Sequence, residues 1–302
     1  ISSRWPRPMG VMASMALMPV CSGSLTGWRW ATPGAGDSTG RRSVVTIGVF
    51  DGVHLGHKEI MRLVKESAAL LDARSVVLTF DRNPQELVRP EHPITYITTV
   101  WQKLERIAAQ RIDLTIVLHL TPDLLSLDAE RFVTEVLHGK LRAARVVIGS
   151  DFAFGSRRSG NADLLRRMGT RLDFDVVAVP PVSVGGQTVS STAIRRLILD
   201  GMVCRAKEML GHPYVMHGRV VPGDGIGRQW GFPTANIETS SGQIVPGDGV
   251  YTASLDLDRR HLKGVVNIGH RPTVGGTKRT VELHILDFEG DLYSRQVDVS
   301  FL

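Results

Sequence analysis

The sequence predicts an α/β domain built on a parallel sheet, followed by a smaller domain of antiparallel strands. In the first two thirds of the chain, short apolar runs rich in β-branched residues alternate with helical stretches, as βαβ units require. After Pro213 the pattern changes to short strands separated by Gly- and Pro-rich turns, which is typical of an antiparallel barrel or sandwich. With 302 residues, 42% of them hydrophobic, the chain is long enough for two such domains.

The predicted strands of the first domain are almost entirely apolar, as expected of strands covered on both faces. They span residues 44–50, 75–80, 114–118, 145–149 and 175–179. Asp128 is a predicted N-cap for a helix over 129–141, and Ser191 or Thr192 is expected to cap a helix that runs to Asp200. In the second domain we predict strands over residues 214–221, 250–257, 264–268, 281–288 and 296–302.

Residues 1–42 are expected to be a disordered or non-native extension, because they mix Met, Gly, Ser, Pro and Trp without a period. The apolar stretch over residues 10–20 weakly resembles a signal peptide, but it is too short to span a membrane. No other segment reaches the length of a membrane span. We expect the α/β domain over residues 43–212 and the second domain over residues 213–302, without a membrane partner.

Composition narrows the class of partner and the compartment. The net charge is +6, but the basic residues are scattered and not interleaved with aromatic residues along one element, which argues against a nucleic-acid partner. Cys21 and Cys204 are too few and too far apart for a disulfide framework or a zinc site. The simplest compartment is therefore a reducing cytoplasm. The sequence leaves the oligomeric state open.

The first candidate site follows the first predicted strand, where ten residues from Gly48 to His57 read GVFDGVHLGH. A helix is predicted to begin there, and its unpaired amides attract phosphate. Gly52 allows the backbone to approach a ligand closely, and His54 and His57 can donate hydrogen bonds to phosphate oxygens. The pattern predicts a nucleoside triphosphate site, with a tight turn carrying two surface histidines as the alternative.

A second phosphate clamp is predicted at Ser190-Ser191-Thr192-Ala193-Ile194-Arg195. Hydroxyls and amides point the same way at the start of a helix, and an arginine follows one turn later. The simpler alternative is an ordinary N-cap with an exposed arginine. Both clamps together would grip a triphosphate from opposite sides.

The second domain carries a different candidate site. Four glycines within residues 218–227 predict a loop that covers phosphates, although such loops are more often simple turns. The segment Gly231-Phe232-Pro233-Thr234-Ala235-Asn236 follows, and its Thr234 and Asn236 offer neutral oxygens of the kind that complete a magnesium shell. Glu282 interrupts an apolar alternation, where a lone carboxylate is usually an outward-facing, solvated residue.

The histidine motif resembles the His-x-Gly-His signature of the nucleotidyltransferase superfamily. From about Ser43 to the end, the chain resembles the bacterial bifunctional riboflavin kinase/FMN adenylyltransferase (FAD synthetase) family, with motifs in the family order. These include Gly149-Ser150-Asp151-Phe152-Ala153-Phe154-Gly155 and Asn267-Ile268-Gly269-His270-Arg271-Pro272-Thr273. The resemblance implies an α/β Rossmann-like nucleotidyltransferase domain followed by a small antiparallel β-barrel riboflavin kinase domain.

The resemblance also implies FAD biosynthesis: riboflavin and ATP give FMN, and FMN and ATP give FAD and pyrophosphate, with Mg2+. His54, His57 and Arg195 would stabilise charge in adenylyl transfer, and Glu282 would be the general base of the kinase. The implied ATP contacts of the adenylyltransferase are Gly48, Phe50, Asp51, Gly52, His54, Gly56, His57, Ser190, Ser191, Thr192 and Arg195. The implied flavin contacts are Phe80, Asn83, Asp151 and Phe154. The implied ATP contacts of the kinase are Gly218, Gly223, Gly225, Gly227, Arg228, Pro233, Thr234 and Asn236, with Thr234 and Asn236 also binding the metal.

Two departures from the family pattern keep alternatives open. Asn83 stands where the family usually has a histidine, which implies a slower enzyme if that histidine sets the rate. The family continues beyond the strand that ends at Leu302 with a segment that helps to close the kinase site, which implies impaired kinase activity if the chain is complete. The alternatives are an adenylyltransferase with a defective kinase domain, another nucleotidyltransferase of the superfamily, or a non-catalytic flavin- or RNA-binding regulator.

Overall fold

The computed structural model describes residues 28–30, 40–223, 233–273 and 276–302. They form two compact units. Of these residues, the first unit contains those up to Val49 together with 60–87 and 107–180, and the second contains those within 50–59, 88–106 and 181–302. The expected extension over residues 1–42 lies almost entirely outside the described residues.

The first unit is built on a parallel sheet with one antiparallel edge strand. Its described strands are β1 (Trp28–Trp30), β2 (Ser43–Ile47), β3 (Arg74–Phe80), β4 (Leu114–Leu118), β5 (Ala143–Gly149) and β6 (Asp175–Val179). Their order is β1-β4-β3-β2-β5-β6, and β2 to β6 are mutually parallel. The predicted parallel sheet is confirmed. Since parallel strands present ligands at their carboxyl ends, this edge of the sheet is where the motifs of the first domain should lie.

The strand predicted over residues 44–50 ends earlier, at Ile47. Phe50 and Val53 both have positive φ, at 52° and 42°, and Gly52 has a φ of 81°. This backbone conformation is incompatible with a strand, so the chain turns sharply before the next helix.

Helices alternate with the strands along the chain and occur in both units. Those described are α1 (Leu55–Leu70), α2 (Gln85–Val88), α3 (Val100–Ala108), α4 (Pro122–Ser126), α5 (Ala129–Arg131), a π-helix (Phe132–Lys140), a 3-10 turn (Ser156–Arg158), α6 (Ala162–Leu172), α7 (Ser191–Leu199) and α8 (Val203–Leu210). Among the described residues, none of these helices is long and apolar enough to cross a membrane.

Of the two predicted helix caps, one is confirmed and one is wrong. Asp128 caps α5 as predicted, because its carboxylate accepts hydrogen bonds from the amides of Glu130 and Arg131. The predicted cap of α7 is wrong: Ser190 is the N-cap, and its hydroxyl accepts the hydrogen bond from the Ala193 amide. Ser191 is already helical.

The second unit contains a closed antiparallel barrel. Its strands are β9 (Tyr214–Val221), β10 (Ala235–Thr239), β11 (Gly249–Leu257), β12 (Arg260–Thr273), β13 (Gly276–Ile285) and β14 (Gln296–Phe301), and the short hairpin β7 (Ser183–Val184) and β8 (Gln187–Thr188) precedes them. The barrel closes in the order β10-β13-β12-β11-β14-β9. Closure decides between the barrel and the sandwich, and β10 is a strand that the sequence pattern did not predict.

The segment over residues 88–106 is tied to the barrel by backbone and side-chain hydrogen bonds. The Ile244 amide donates to the Tyr96 carbonyl oxygen at 2.9 Å, and the side-chain amide of Gln243 donates to the carbonyl oxygens of Ile97 and Val215 at 3.2 and 3.0 Å. Ile97 is 1% exposed and belongs to the apolar core of this unit. The segment therefore folds with the barrel rather than with the sheet.

Phe301 on β14 is fully buried, and its ring packs against Tyr214 and Tyr251 with centroids 5.7 and 5.4 Å away. We predict that Phe301→Ala destabilises the barrel by roughly 3–5 kcal/mol, because truncation leaves a cavity between two rings. Denaturant unfolding followed by tyrosine fluorescence measures this. Val250→Ala, on the neighbouring strand β11 and 72% exposed, is the matched control and should stay within about 0.5 kcal/mol. Equal effects of the two substitutions would contradict the described packing.

Candidate active sites

The loop from Gly48 to His57 leaves the carboxyl end of β2 and enters α1. The rings of His54 and His57 stack with centroids 3.5 Å apart at 19°, and Phe50 packs edge-on against His57 at 5.1 Å. The His57 amide lies 3.4 Å from Nδ1 of His54. An acceptor at Nδ1 places the proton of a neutral His54 on Nε2, where it can be donated. The two motif histidines therefore lie together at the start of a helix, as the motif predicts.

A buried carboxylate holds this loop in place. Asp51 is 2% exposed, and its oxygens accept hydrogen bonds from the amides of Ile97 at 3.0 Å and Thr98 at 3.1 Å. They also accept from the Thr98 hydroxyl at 3.2 Å and from Nη2 of Arg195 at 3.0 Å. Because a buried charge is costly unless it is paired and hydrogen-bonded, these donors stabilise the conformation of the loop. The predicted contact between Asp51 and ATP stays a prediction.

Helix α7 brings the second clamp to the same place. The Ser191 hydroxyl donates to the Asp51 carbonyl oxygen at 2.9 Å, while the Ser190 hydroxyl caps the helix and Thr192 is exposed. The Arg195 side chain is 19% exposed, and its buried Nε has no hydrogen-bond partner within the described parts of the chain. The structure thus brings the histidine loop and the predicted arginine together through one carboxylate.

Burial keeps the histidines of this cluster neutral. The pKa of His54 falls from 6.5 to about 4, first because of burial and then because of the charges of Arg195 and His212. Burial, followed by the charge of His54, also holds the pKa of His57 well below its ordinary value. At pH 7 each ring therefore offers an N–H donor, and Arg195 supplies a permanent positive charge. The negative charge of a bound phosphate would favour protonation of either ring.

The predicted flavin contacts lie in the first unit. Phe80 ends β3, and Asp151 follows the end of β5 and is exposed. The Asn83 side-chain oxygen accepts a hydrogen bond of 3.0 Å from the amide two residues later, which caps α2. Phe154 stacks on Phe152 with centroids 5.5 Å apart at 15°. All four predicted residues lie at or after the carboxyl ends of β3 and β5, which share one edge of the sheet, and their contact with flavin stays a prediction.

The predicted kinase residues Asn236 and Glu282 lie on neighbouring strands of the barrel. Asn236 on β10 pairs with Glu282 on β13, which pairs in turn with Asn267 on β12. Glu282 and Asn267 each lie between two buried residues, and residues paired directly across the register share a face of the sheet, so the three polar side chains form a row across three strands. Glu282 is half-buried and accepts a hydrogen bond of 3.2 Å from the Thr280 hydroxyl. This partner distinguishes it from a fully solvated surface carboxylate.

Two glycines of the predicted kinase loop allow close packing. A Cβ at Gly218 would lie 2.5 Å from Cγ2 of Ile237, and one at Gly223 would lie 1.9 Å from Nδ2 of Asn236. Gly223 therefore makes room for the amide of a predicted metal ligand. The Pro233 carbonyl oxygen accepts a hydrogen bond from a histidine ring nitrogen of β13 at 2.9 Å, and Thr234 is half-buried. The predicted contacts Gly225, Gly227 and Arg228 lie outside the described residues.

The described residues contain no group of three or more His, Cys, Asp or Glu side chains that could hold a metal ion. The hydroxyl of Thr234 and the side-chain oxygen of Asn236 are ligands of another type. Neutral, hard oxygens of this kind suit Mg2+ that is also bound by nucleotide phosphates. The residues therefore fit the predicted magnesium.

Sequence reasoning missed Thr98 and His212, which both contact the histidine loop. The Thr98 hydroxyl accepts a hydrogen bond of 3.1 Å from the Gly52 amide, and Nε2 of His212 lies 3.0 Å from the Gly52 carbonyl oxygen. The sequence carries one local signal nearby, the capping box of α3. In it the Thr99 amide donates to the Gln102 side-chain oxygen at 3.0 Å, and the Gln102 amide donates to the Thr99 hydroxyl at 3.2 Å. That pattern locates the start of the helix next to Thr98, but not its partner.

Two family models match the chain. One for FAD synthetase matches residues 37–193, and one for riboflavin kinase matches residues 210–302. The bifunctional riboflavin kinase/FMN adenylyltransferase of Escherichia coli K12 is 37% identical over 257 residues, which cover 85% of this chain and 82% of that protein. The enzyme of the same name from Pseudomonas fluorescens is 38% identical over 262 residues, covering 86% and 84%.

The fold also resembles a solved structure. A crystal structure described as a macrolide-efflux protein from Streptococcus pneumoniae superposes with a TM-score of 0.80 at 32% sequence identity, and covers 88% of this chain and 86% of that one. The two-unit architecture therefore recurs over nearly the whole length of both chains.

The lowered histidine pKa values predict acid lability. His54 and His212 both have a pKa of about 4 in the folded state, against 6.5 in the unfolded chain. Below pH 6.5 the unfolded chain therefore binds more protons than the folded protein. The stability from these groups is fully present above pH 6.5 and is lost as pH falls towards 4, at about 1.4 kcal/mol per pKa unit and group. Urea unfolding at a series of pH values measures this. His54→Asn should flatten the dependence between pH 6.5 and 5, and an unchanged slope would contradict the assignment.

Proposed function

The chain belongs to the bifunctional riboflavin kinase/FMN adenylyltransferase family, and we propose that it makes FMN from riboflavin and ATP, and FAD from FMN and ATP. The observation that carries the first site is the joint placement of the histidine loop and Arg195 by the Asp51 carboxylate. The row of Asn236, Glu282 and Asn267 supports the second site.

In adenylyl transfer, a phosphate oxygen of FMN attacks the α-phosphorus of ATP, and the bond to the β-phosphate oxygen breaks as pyrophosphate leaves. His54 donates from Nε2 to a phosphate oxygen, and the ring of His57 stacks directly on the ring of His54. Arg195 offsets the charge that develops on the leaving pyrophosphate. Preorganised donors of this kind lower the barrier without a covalent intermediate on the protein.

Binding of the nucleotide is proposed to use backbone as well as side chains. The backbone turns sharply at Gly52 before α1, and we assign phosphate contacts to the amides at the start of α1 and of α7, where Ser190 is the N-cap. We assign the isoalloxazine ring to Phe80 and Phe154, because it needs a flat apolar surface. Asn83 and Asp151 would supply hydrogen bonds to the flavin.

In the kinase reaction, Glu282 takes the proton of the riboflavin 5'-hydroxyl as that oxygen attacks the γ-phosphorus of ATP. Its half-buried position on the barrel surface suits a general base that must reach substrate. Thr234 and Asn236 would hold Mg2+, which neutralises charge on the ATP phosphates when it is bound. Gly218 and Gly223 let neighbouring strands and the loop approach closely enough to form this site.

The domain assignment and the compartment are part of the same proposal. We propose residues 43–212 as the adenylyltransferase domain and 213–302 as the kinase domain, limits that the matched ranges 37–193 and 210–302 support. The partners are then small molecules: ATP, riboflavin and FMN. The two distant cysteines support a reducing cytoplasm as the compartment.

If the two reactions use separate sites, a substitution at one site should slow only the reaction of that site. His54→Asn should lower FAD formation from FMN by about a hundredfold or more and leave FMN formation from riboflavin unchanged, because it removes a donor to the transferred phosphate. Glu282→Gln should do the reverse, since it removes the base. Chromatography of flavins after incubation with ATP measures both reactions.

The unsubstituted chain is the reference in that experiment. FAD from FMN without any FMN from riboflavin would support the adenylyltransferase-only alternative. No product in either reaction would contradict the proposed function, and loss of both reactions in either variant would contradict the assignment of separate sites.

Mg2+ dependence should separate the two sites further. We predict that Thr234→Ala raises the Mg2+ concentration for half-maximal FMN formation by about tenfold, because it removes an oxygen ligand. FAD formation by the same variant should keep its Mg2+ dependence. Titration of Mg2+ in each assay measures this, with Thr239→Ala, at the end of the strand that follows Thr234, as the control. A shared shift in both reactions would rule out Thr234 as a ligand specific to the kinase.

A further inference from the structure

His212 is a half-buried histidine to which the proposed mechanism assigns no role. It lies in the turn between α8 and β9, next to Gly211, which caps α8 with a φ of 67°. A Cβ at Gly211 would lie 2.5 Å from Cδ2 of Leu55, and Nζ of Lys58 donates to the Gly211 carbonyl oxygen at 3.1 Å. The turn that carries His212 is therefore packed against the first turn of α1.

The ring of His212 reaches the histidine loop itself. Its Nε2 lies 3.0 Å from the Gly52 carbonyl oxygen, and its Nδ1 lies 2.8 Å from the carbonyl oxygen of Pro213. The Gly52 amide on the other side donates to the Thr98 hydroxyl at 3.1 Å. Gly52 is thus held through both of its backbone polar groups, two residues before His54.

The backbone at Gly52 has little freedom to compensate if one of these bonds is lost. Its φ of 81° is in the left-handed region, and a Cβ there would lie 3.1 Å from side-chain atoms of Ile97 and of Leu210. Rotation of the peptide between Gly52 and Val53 would move the residues that follow. The carbonyl contact with His212 opposes such a rotation.

The surroundings of His212 favour a neutral ring at pH 7. Burial, followed by the charge of Arg106, lowers the pKa of His212 from 6.5 to about 4, and Lys58 adds to the effect. A neutral imidazole has a single N–H. Both ring nitrogens of His212 face a carbonyl oxygen, so the neutral ring donates to only one of them, and donation to Gly52 requires the tautomer that carries the proton on Nε2.

We infer that His212 is a positioning residue for adenylyl transfer: its Nε2–H holds the Gly52 carbonyl oxygen and so fixes the direction in which the loop presents His54. The inference rests on the proposed function, because it assigns His54 to a transferred phosphate. A displacement of about 1 Å at such a donor is enough to lower the rate of a positioned reaction by about a hundredfold.

The test compares His212→Leu, which removes the donor, with His212→Gln, whose amide can donate in its place. His217→Leu is the matched control, because His217 is another half-buried histidine of this unit and bonds to Asp298 at 2.8 Å, away from the loop. For each variant, kcat and KM are measured for FAD formation from FMN, together with the rate of FMN formation from riboflavin.

We expect His212→Leu to lower kcat for FAD formation by about tenfold to a hundredfold, with a smaller change in the KM for ATP and an unchanged rate of FMN formation. His212→Gln should recover most of the lost kcat, and His217→Leu should match the original chain. Loss of both reactions in His212→Leu would show a general structural role and overturn the inference.

Two kinetic results would overturn the inference alone, and a third would overturn the proposed function as well. An unchanged kcat in His212→Leu, or a His212→Gln variant as slow as His212→Leu, would overturn the inference while the original chain still formed FAD. Absence of FAD formation by the original chain would instead overturn the proposed function and the inference with it.

Discussion

Asp51 carries a carboxylate at a position that water barely reaches, and four donor groups from two other parts of the chain converge on it. A buried carboxylate without such donors would cost several kcal/mol, so the loop can adopt this shape only when the 97–98 backbone and Arg195 are in place. In the same way, Arg195 is directed by the carboxylate it pairs with. One interaction therefore sets the relative placement of the histidine loop and the arginine on α7.

The same arrangement determines how the histidine cluster can interact with a phosphate. The positive charge of Arg195 and the burial of the rings keep His54 neutral at pH 7 in the absence of phosphate. The cluster is therefore a set of oriented N–H donors with a permanent cation beside it. Donors fixed by the fold need little reorganisation when charge develops on a phosphate, which is how electrostatic preorganisation accelerates such reactions.

The sequence predicted the repeating parts of the fold well, because a parallel sheet imposes apolar strands that alternate with helices. Strand β10 was missed, since it begins inside a motif whose Gly231 and Pro233 are typical of a loop. The cap of α7 was misplaced by one residue because Ser190, Ser191 and Thr192 are equally suitable caps in sequence. Only the structure shows that the Ser191 hydroxyl is bonded to the Asp51 carbonyl oxygen instead.

Motif residues of the candidate sites were predictable because their spacing is local. His54 and His57 meet across one helical turn, Glu282 stands out as a polar residue in an apolar strand, and Asn236 ends a contiguous motif. Thr98 and His212 could not be found this way, because they contact Gly52 from 46 and 160 residues away along the chain. Such contacts depend on tertiary packing, for which neither residue carries a local signature.

Asp51 and Arg195 are expected to act together in adenylyl transfer, so that loss of either residue removes the same contribution to the rate. A double-mutant cycle with Asp51→Asn, Arg195→Gln and the combined variant, measured as kcat/KM for FAD formation from FMN, tests it most directly. We expect a coupling energy of about 1 kcal/mol or more, with the double variant little slower than the slower single variant. Defects that simply multiply in the double variant would contradict it.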